Sequence, residues 1–333
     1  MSAAATGAGE KRPHEATART AEEIEAIARA RAERKAKHAV RGLGKINKHD
    51  PNLGRYKMVI SYDGRNFHGW QKQSPPNGPP LRTIEGVLEE CLRPVLSQNA
   101  KFWPAGRTDA GVSASGQVVQ FDAVFSEEQQ QPENVAELAA KFNAALPTEV
   151  RVKTVAPSSR MFCANECKWK RYIYRIPADE IVAKCQSMVG EGRREASAVA
   201  EGSELAGSSI TPGELLELND MRRAAAQLLG THDFASFQSK GGRVSTVRTL
   251  HRCDVSCDVS DGLTFTLEGN GFLYNMVRII VGTLVQIGMR RASSVDIPAI
   301  LEAADRPKAG PTAPAEGLCL DHVEYDRDWG EEV

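Results

Sequence analysis

The sequence predicts an α+β fold in which helices cover a sheet, and three features carry that expectation. Strand-like alternation recurs at Tyr56, Met58, Ile60 and Tyr62, at Val119, Phe121 and Ala123, and at Val150, Val152 and Val155. Between these runs lie helical patterns. The clearest is Ile84, Val87, Leu88, Cys91, Leu92, Val95 and Leu96, spaced as one helix face behind Thr83. The chain also lacks the glycine patterns of dinucleotide-binding and phosphate-loop folds.

In chain order, residues 1–18 are rich in Ala, Gly and Thr without apolar periodicity and read as disordered. Thr20-Ala21-Glu22-Glu23 has the capping-box pattern, which starts a helix running to about His38. Its basic end, with Arg29, Arg31, Arg34, Lys35 and Lys37, reads as a solvated face, an RNA-binding arm or nuclear address being the alternative. The folded body begins near Arg55, and Asp63-Gly64 turns the chain after the first strand. Val135 to Leu146 is helical and Lys168 to Ile176 is a strand. The stretch 180–212, rich in Ala, Gly, Ser and Glu, reads as a flexible acidic insertion. Then come a helix from Glu214 to Leu229 and a hairpin of Val244 to Val259 with Leu263 to Leu267, turning at Asp261-Gly262. An apolar helix from Phe272 to Ile287, a shorter one from Val295 to Ala304 and a closing strand from Leu318 to Tyr325 follow. The organisation is a basic tail over 1–50, an N-terminal half over 51–160 and a C-terminal half over 161–333.

No apolar run approaches the roughly eighteen residues of a membrane helix, so no membrane partner is expected. Seven cysteines without framework spacing or a secretory signal point to a reducing compartment. Glu10, Glu15, Glu22, Glu23 and Glu25 are unusual for a transit peptide. Cytoplasm or nucleus is expected, with an organelle left open. The net charge of −1 is unevenly distributed: residues 1–50 carry +4, 179–220 carry −6 and 316–333 carry −6, leaving +7 on the remainder. That basic body is compatible with a phosphate-binding groove.

Ala105 to Val119 holds a single carboxylate, Asp109, among Gly106, Gly111 and Gly116. From the residues alone, Asp109 is either a turn residue bonding its own backbone or a site carboxylate on an irregular loop. The run Ala-Gly-Arg-Thr-Asp-Ala-Gly-Val resembles the catalytic motif of the TruA-type tRNA pseudouridine synthases. Further segments agree in order: Gly69-Trp70-Gln71, Arg171-Tyr172-Ile173-Tyr174, His232 to Phe237, Gly269 to Gly282, and Glu316-Gly317-Leu318. The resemblance covers about Tyr56 to Tyr325.

It implies two related halves whose mainly antiparallel sheets join, with the active cleft between them. It also implies isomerisation of uridine to pseudouridine in the anticodon stem-loop of tRNA, at positions 38 to 40, with no metal or cofactor; a homodimer stays open. Asp109 would be the carboxylate acting on the target uridine, Tyr172 the aromatic stacked on its base, and Arg278 the partner holding Asp109 ionised. Arg107 would contact phosphate or the flipping strand, with Lys168, Arg171 and Arg248 as further phosphate contacts. Read without the family, Arg278 is a snorkelling or paired arginine in apolar surroundings, Arg107 a solvated loop charge and Tyr174 half of a cross-strand aromatic pair.

Two departures stand out. Ser113 occupies a position that is His in many bacterial members and resembles eukaryotic members. Asn165 falls near a position that is commonly Arg. A catalytically silent RNA-binding or RNA-folding protein would need the basic cleft but not Asp109, Tyr172 and Arg278 together. A zinc module is suggested by Cys163 with Cys167 and Cys253 with Cys257, yet both pairs lie in or beside strand patterns, so no metal is expected.

Overall fold

The computed structural model describes residues 19–41, 53–76, 78–125, 132–181, 216–242, 245–258, 260–289 and 296–326. The expectations for residues 1–18 and for nearly all of the acidic insertion lie outside the described residues. Nine strands form one sheet: β1 Leu53–Tyr62, β2 Phe102–Pro104, β3 Ser113–Val124, β4 Val150–Ser158, β5 Trp169–Ile176, β6 Gly230–Asp233, β7 Val247–Asp258, β8 Gly262–Gly269 and β9 Leu318–Glu324. Its order is β4-β1-β3-β9-β5-β8-β7-β6, with β2 beside β3. The helices are α1 Ala21–Arg41, α2 Ile84–Leu96, α3 Pro132–Ala145, α4 Leu218–Gln227, α5 Met276–Gly288 and α6 Ile297–Ala303.

The expected α+β architecture is observed. Every strand pairing is antiparallel except β3 with β9, which run parallel through Ser113 opposite Cys319 and Ala114 opposite Leu320. That short parallel contact joins the two halves of the sheet. Strand β9 therefore lies at the centre of the sheet and continues into β5 by antiparallel pairing.

Period-two burial explains the first half. Tyr56, Met58, Ile60 and Tyr62 are all buried along β1, and Tyr56 stacks on Phe121 with ring centres 5.3 Å apart. Ile84, Leu88, Leu92 and Leu96 form the buried stripe of α2, whose N-cap Thr83 accepts a hydrogen bond from the Gly86 amide at 3.2 Å. In the second half Tyr174 lies opposite Phe265 and packs edge-on to it at 6.4 Å, the cross-strand aromatic pair expected from its spacing.

Element boundaries differ where tertiary contacts outweigh local pattern. The apolar helix begins at Met276 rather than Phe272, because Asn275 adopts a left-handed conformation (φ 60°) that cannot continue a helix backwards. The four residues 272–275 instead form an irregular segment. Helix α4 begins at Leu218 because the Glu217 amide is held by the Gly288 carbonyl at 2.9 Å. Strand β6 has no sequence signature, since Gly230–Asp233 lacks apolar alternation and is fixed by pairing with β7.

Helix α1 has the full reciprocal capping box: the Glu23 amide donates to Thr20 Oγ1 at 3.2 Å and the Thr20 amide to Glu23 Oε2 at 2.9 Å. It is not solvated all round. Arg19 pairs with Asp233, and Arg31 donates to Asn270 Oδ1 at 3.0 Å, so the helix packs on the β6–β7 edge. Among the described residues no helix is long and apolar enough to cross a membrane.

The seam is tight enough to make a prediction. A Cβ on Gly116 would lie 2.2 Å from the Asp321 carbonyl oxygen across β3 and β9. Gly116→Ala is expected to cost about 1–3 kcal/mol through overpacking, read as a lower urea midpoint. A parent-like midpoint would show that the seam has slack.

Candidate active site

Residues 105–112, between β2 and β3, form the loop that presents Asp109. The Ala105 amide donates to the Val118 carbonyl at 2.7 Å, and Gln117 Nε2 donates to the Gly106 carbonyl at 2.7 Å. On the other flank the Tyr62 hydroxyl and Thr108 Oγ1 lie 2.8 Å apart, and the Trp70 amide donates to the Thr108 carbonyl at 3.0 Å. Gly69 has φ 87°, and a Cβ there would come within 2.8 Å of that same carbonyl. The Gly-Trp segment is thus a glycine that lets two backbones meet and a buried indole that fills the space behind. Asp109 sits on a loop braced from both sides.

The turn closes through its backbone, the Val112 amide donating to the Asp109 carbonyl at 3.2 Å. Among the described residues the Asp109 carboxylate itself accepts no hydrogen bond, so it is not a turn-bonded aspartate. Burial raises its pKa, and the positive charge of Arg278 lowers it in partial opposition, the net shift being upward. Arg278 is half-buried, its Nε donating to the Ala313 carbonyl at 2.6 Å and an Nη to Asn275 Oδ1 at 2.9 Å. Its influence on Asp109 is that of a fixed charge rather than a direct ion pair. Asn275, left-handed at φ 60°, thus holds one end of the guanidinium.

Tyr172 is 8% exposed and packs edge-on to Phe272 at 5.0 Å. Burial first, then the neighbouring Tyr62 and Asp109, push its phenol far above the ordinary range. It stays neutral at any physiological pH and keeps its proton to donate. Asp109, Tyr172 and Arg107 all line one cleft of about 1380 Å³ between the two halves of the sheet.

The remaining expected phosphate contacts are placed differently. Lys168 lies 3.4 Å from Asp326, Arg171 is bound to Glu268 at 2.7 Å, and Arg248 is buried with its guanidinium on the Ser245 and Val247 carbonyls. None of these three lines the cleft. Its cations are Arg55, Lys101, Arg107 and Lys170. Arg55 is held by Asp122 at 2.8 Å, and Lys170 Nζ donates to the Ala105 carbonyl at 2.5 Å, tying the base of the Asp109 loop to β5. Lys170 was legible in principle: it precedes Tyr172 by two residues and so shares its strand face. Asn165 also lines the cleft, and Ser113 Oγ accepts from the Gly64 amide at 3.0 Å. Cys253 and Cys257 lie on β7, and burial pushes the Cys253 thiol up to about 12.

The cleft is lined by the carboxylates of Asp109, Asp122 and Glu166, and it sets a half-buried Asp109 beside a neutral tyrosine and two exposed cations, Lys101 and Arg107, an arrangement suited to acid–base or nucleophilic chemistry on an anionic ligand. Residues 224–326 match the tRNA pseudouridine synthase family. The chain is 38% identical over 276 residues to the tRNA pseudouridine synthase A of Moorella thermoacetica, covering 81% of this chain and 98% of that one. With the Geobacillus kaustophilus protein of the same name it is 39% identical over 277 residues, 82% and 95% of the two chains. With that of Leuconostoc mesenteroides it is 36% identical over 281 residues, 82% and 100%. The chain belongs to the tRNA pseudouridine synthase family.

The electrostatics of Asp109 have a stability consequence. Because folding raises its pKa, the native protein binds this proton more tightly than the unfolded chain, and ionisation costs stability. That cost is absent below the ordinary value of 3.8 and complete once pH exceeds the folded value. Asp109→Asn is therefore expected to unfold at higher urea than the parent at neutral pH, the gap closing as pH falls toward about 3. A variant less stable than the parent at pH 7 would contradict this.

Proposed function

We propose that the chain isomerises uridine to pseudouridine in tRNA, with Asp109 as the catalytic carboxylate and the anticodon stem-loop, positions 38 to 40, as the target region. The observation that carries the reading is the cleft itself: a carboxylate lifted by burial, held back by Arg278 and set beside a neutral Tyr172. The relatives named tRNA pseudouridine synthase A support the substrate class.

In the reaction the N1–C1′ bond breaks, the freed uracil turns, and C5 bonds to C1′. N1 gains a proton and C5 loses one, so the balance needs no outside oxidant or reductant. An ionised Asp109 can bond to C1′ or stabilise the positive charge developing there, or take a sugar proton. Tyr172 offers a ring for the extruded base and a hydroxyl for orientation. Arg278 keeps the carboxylate available as an anion. A silent RNA binder would use the cationic rim but has no use for a destabilising buried carboxylate.

Tritium released from C5-labelled uridine in an anticodon stem-loop RNA tests the assignments. Asp109→Asn should keep the fold and RNA affinity and lose turnover, since the amide has similar shape but is neither nucleophile nor base. Parent-like turnover would end the assignment. Tyr172→Phe should retain stacking and lose only the hydroxyl contribution, whereas Tyr172→Ala should lose both; two parent-like variants would reduce Tyr172 to packing. Arg278→Gln removes the opposing charge, so Asp109 should titrate higher still and the acid limb of the rate profile should move to higher pH. An unmoved limb would detach Arg278 from Asp109.

A further inference from the structure

The exposed large hydrophobic residues among those described are Trp103, Val124, Leu229 and Tyr274, and the two aromatic ones both line the cleft that holds Asp109. They come from opposite halves. Trp103 lies on β2, where exposure alternates from Lys101 through the buried Phe102 to Trp103, so the core takes Phe102 and leaves the indole outside, 43% exposed. Tyr274 lies in the irregular segment before α5, between the buried Leu273 and the left-handed Asn275, and is 47% exposed. Its backbone is fixed: the Ser239 amide donates to its carbonyl at 3.1 Å, and Asn275 Nδ2 donates to Ser239 Oγ at 2.9 Å.

Neither ring stacks on another ring or a cation among the described residues, unlike Trp169, which meets His322 and Arg171. Each is held in place by its backbone while its face stays open. Folding gives no reason for a large aromatic at either position, and exposed indole favours aggregation. The same cleft is lined by Lys101 and Arg107, both exposed and without an ion pair among the described residues, while of its other acids Asp122 is held by Arg55. Open aromatic faces beside unpaired cations are what single-stranded nucleic acid needs, the cations for phosphate and the rings for bases.

We propose that Trp103 and Tyr274 are stacking platforms for unpaired nucleobases next to the extruded uridine, one on each wall of the cleft. The proposal rests on the tRNA reading and deepens it. Tyr172, buried deeper, serves the target base; the two rim rings hold the neighbours that would otherwise restack and draw it back. Sequence preference from such contacts is weak, because every base has a π face.

The test is tRNA affinity and kcat/KM for Trp103→Ala, Trp103→Leu, Trp103→Phe, Tyr274→Ala and Tyr274→Phe, with Leu229→Ala as an exposed apolar control outside the cleft. The alanine variants and Trp103→Leu should bind about tenfold or more weakly, with kcat/KM falling in step. The phenylalanine variants should recover most of the loss, and the control should match the parent. The fold-loss should persist from low to high salt, since stacking releases no counterions. Parent-like affinity of both alanine variants, full recovery by Trp103→Leu, or a loss that vanishes at high salt would overturn the platforms. An inactive parent that still shows the affinity pattern would instead sink the catalytic reading and leave the platforms standing.

Discussion

Ionising Asp109 inside the cleft costs free energy that a fixed positive charge must offset, and Arg278 supplies that charge from the opposite half of the sheet. The offset is partial. The carboxylate remains above its ordinary pKa, so it is both more basic and less comfortable than a surface aspartate. Most of the architecture around the cleft maintains this relation: Gly69, Tyr62 and Gln117 hold the loop, Lys170 ties its base to β5, and Asn275 with the Ala313 carbonyl holds the guanidinium.

Because the two charges belong to different halves, their separation is set by how the halves join. That joint is the parallel contact of β3 with β9, close enough at Gly116 to exclude a methyl group. The cleft between the halves therefore depends on β9 being paired with β3. Helix α1 packs on the C-terminal half. Arg31 reaches Asn270 and approaches Gly271, immediately before the segment that carries Phe272, Tyr274 and Asn275. Distant parts of the sequence thus converge on one wall of the site.

Much of the fold was legible because strand and helix periods are local properties. The β1 alternation, the α2 stripe with Thr83 and the capping box of α1 all appear as their residues require. Misplaced boundaries share a cause: Gly230–Asp233 becomes a strand only because β7 lies beside it, and residues 272–275 leave the helix because Asn275 turns left-handed. Motifs pointed to Asp109 and Tyr172, which line the cleft, and to Arg278, whose charge acts on Asp109 from behind it, whereas the distribution of cations was not readable. Arg171 and Arg248 stand in basic sequence but are engaged by Glu268 and by backbone carbonyls, which only packing reveals. Trp103 and Tyr274 were silent for the converse reason: an aromatic in an apolar run reads as core until its exposure is known.

The most direct measurement is a position-resolved map of pseudouridine in an unmodified tRNA transcript after incubation with the purified protein. Pseudouridine confined to positions 38 to 40 is the expected result. A transcript that binds the protein yet retains uridine at every position would contradict the catalytic role given to this cleft.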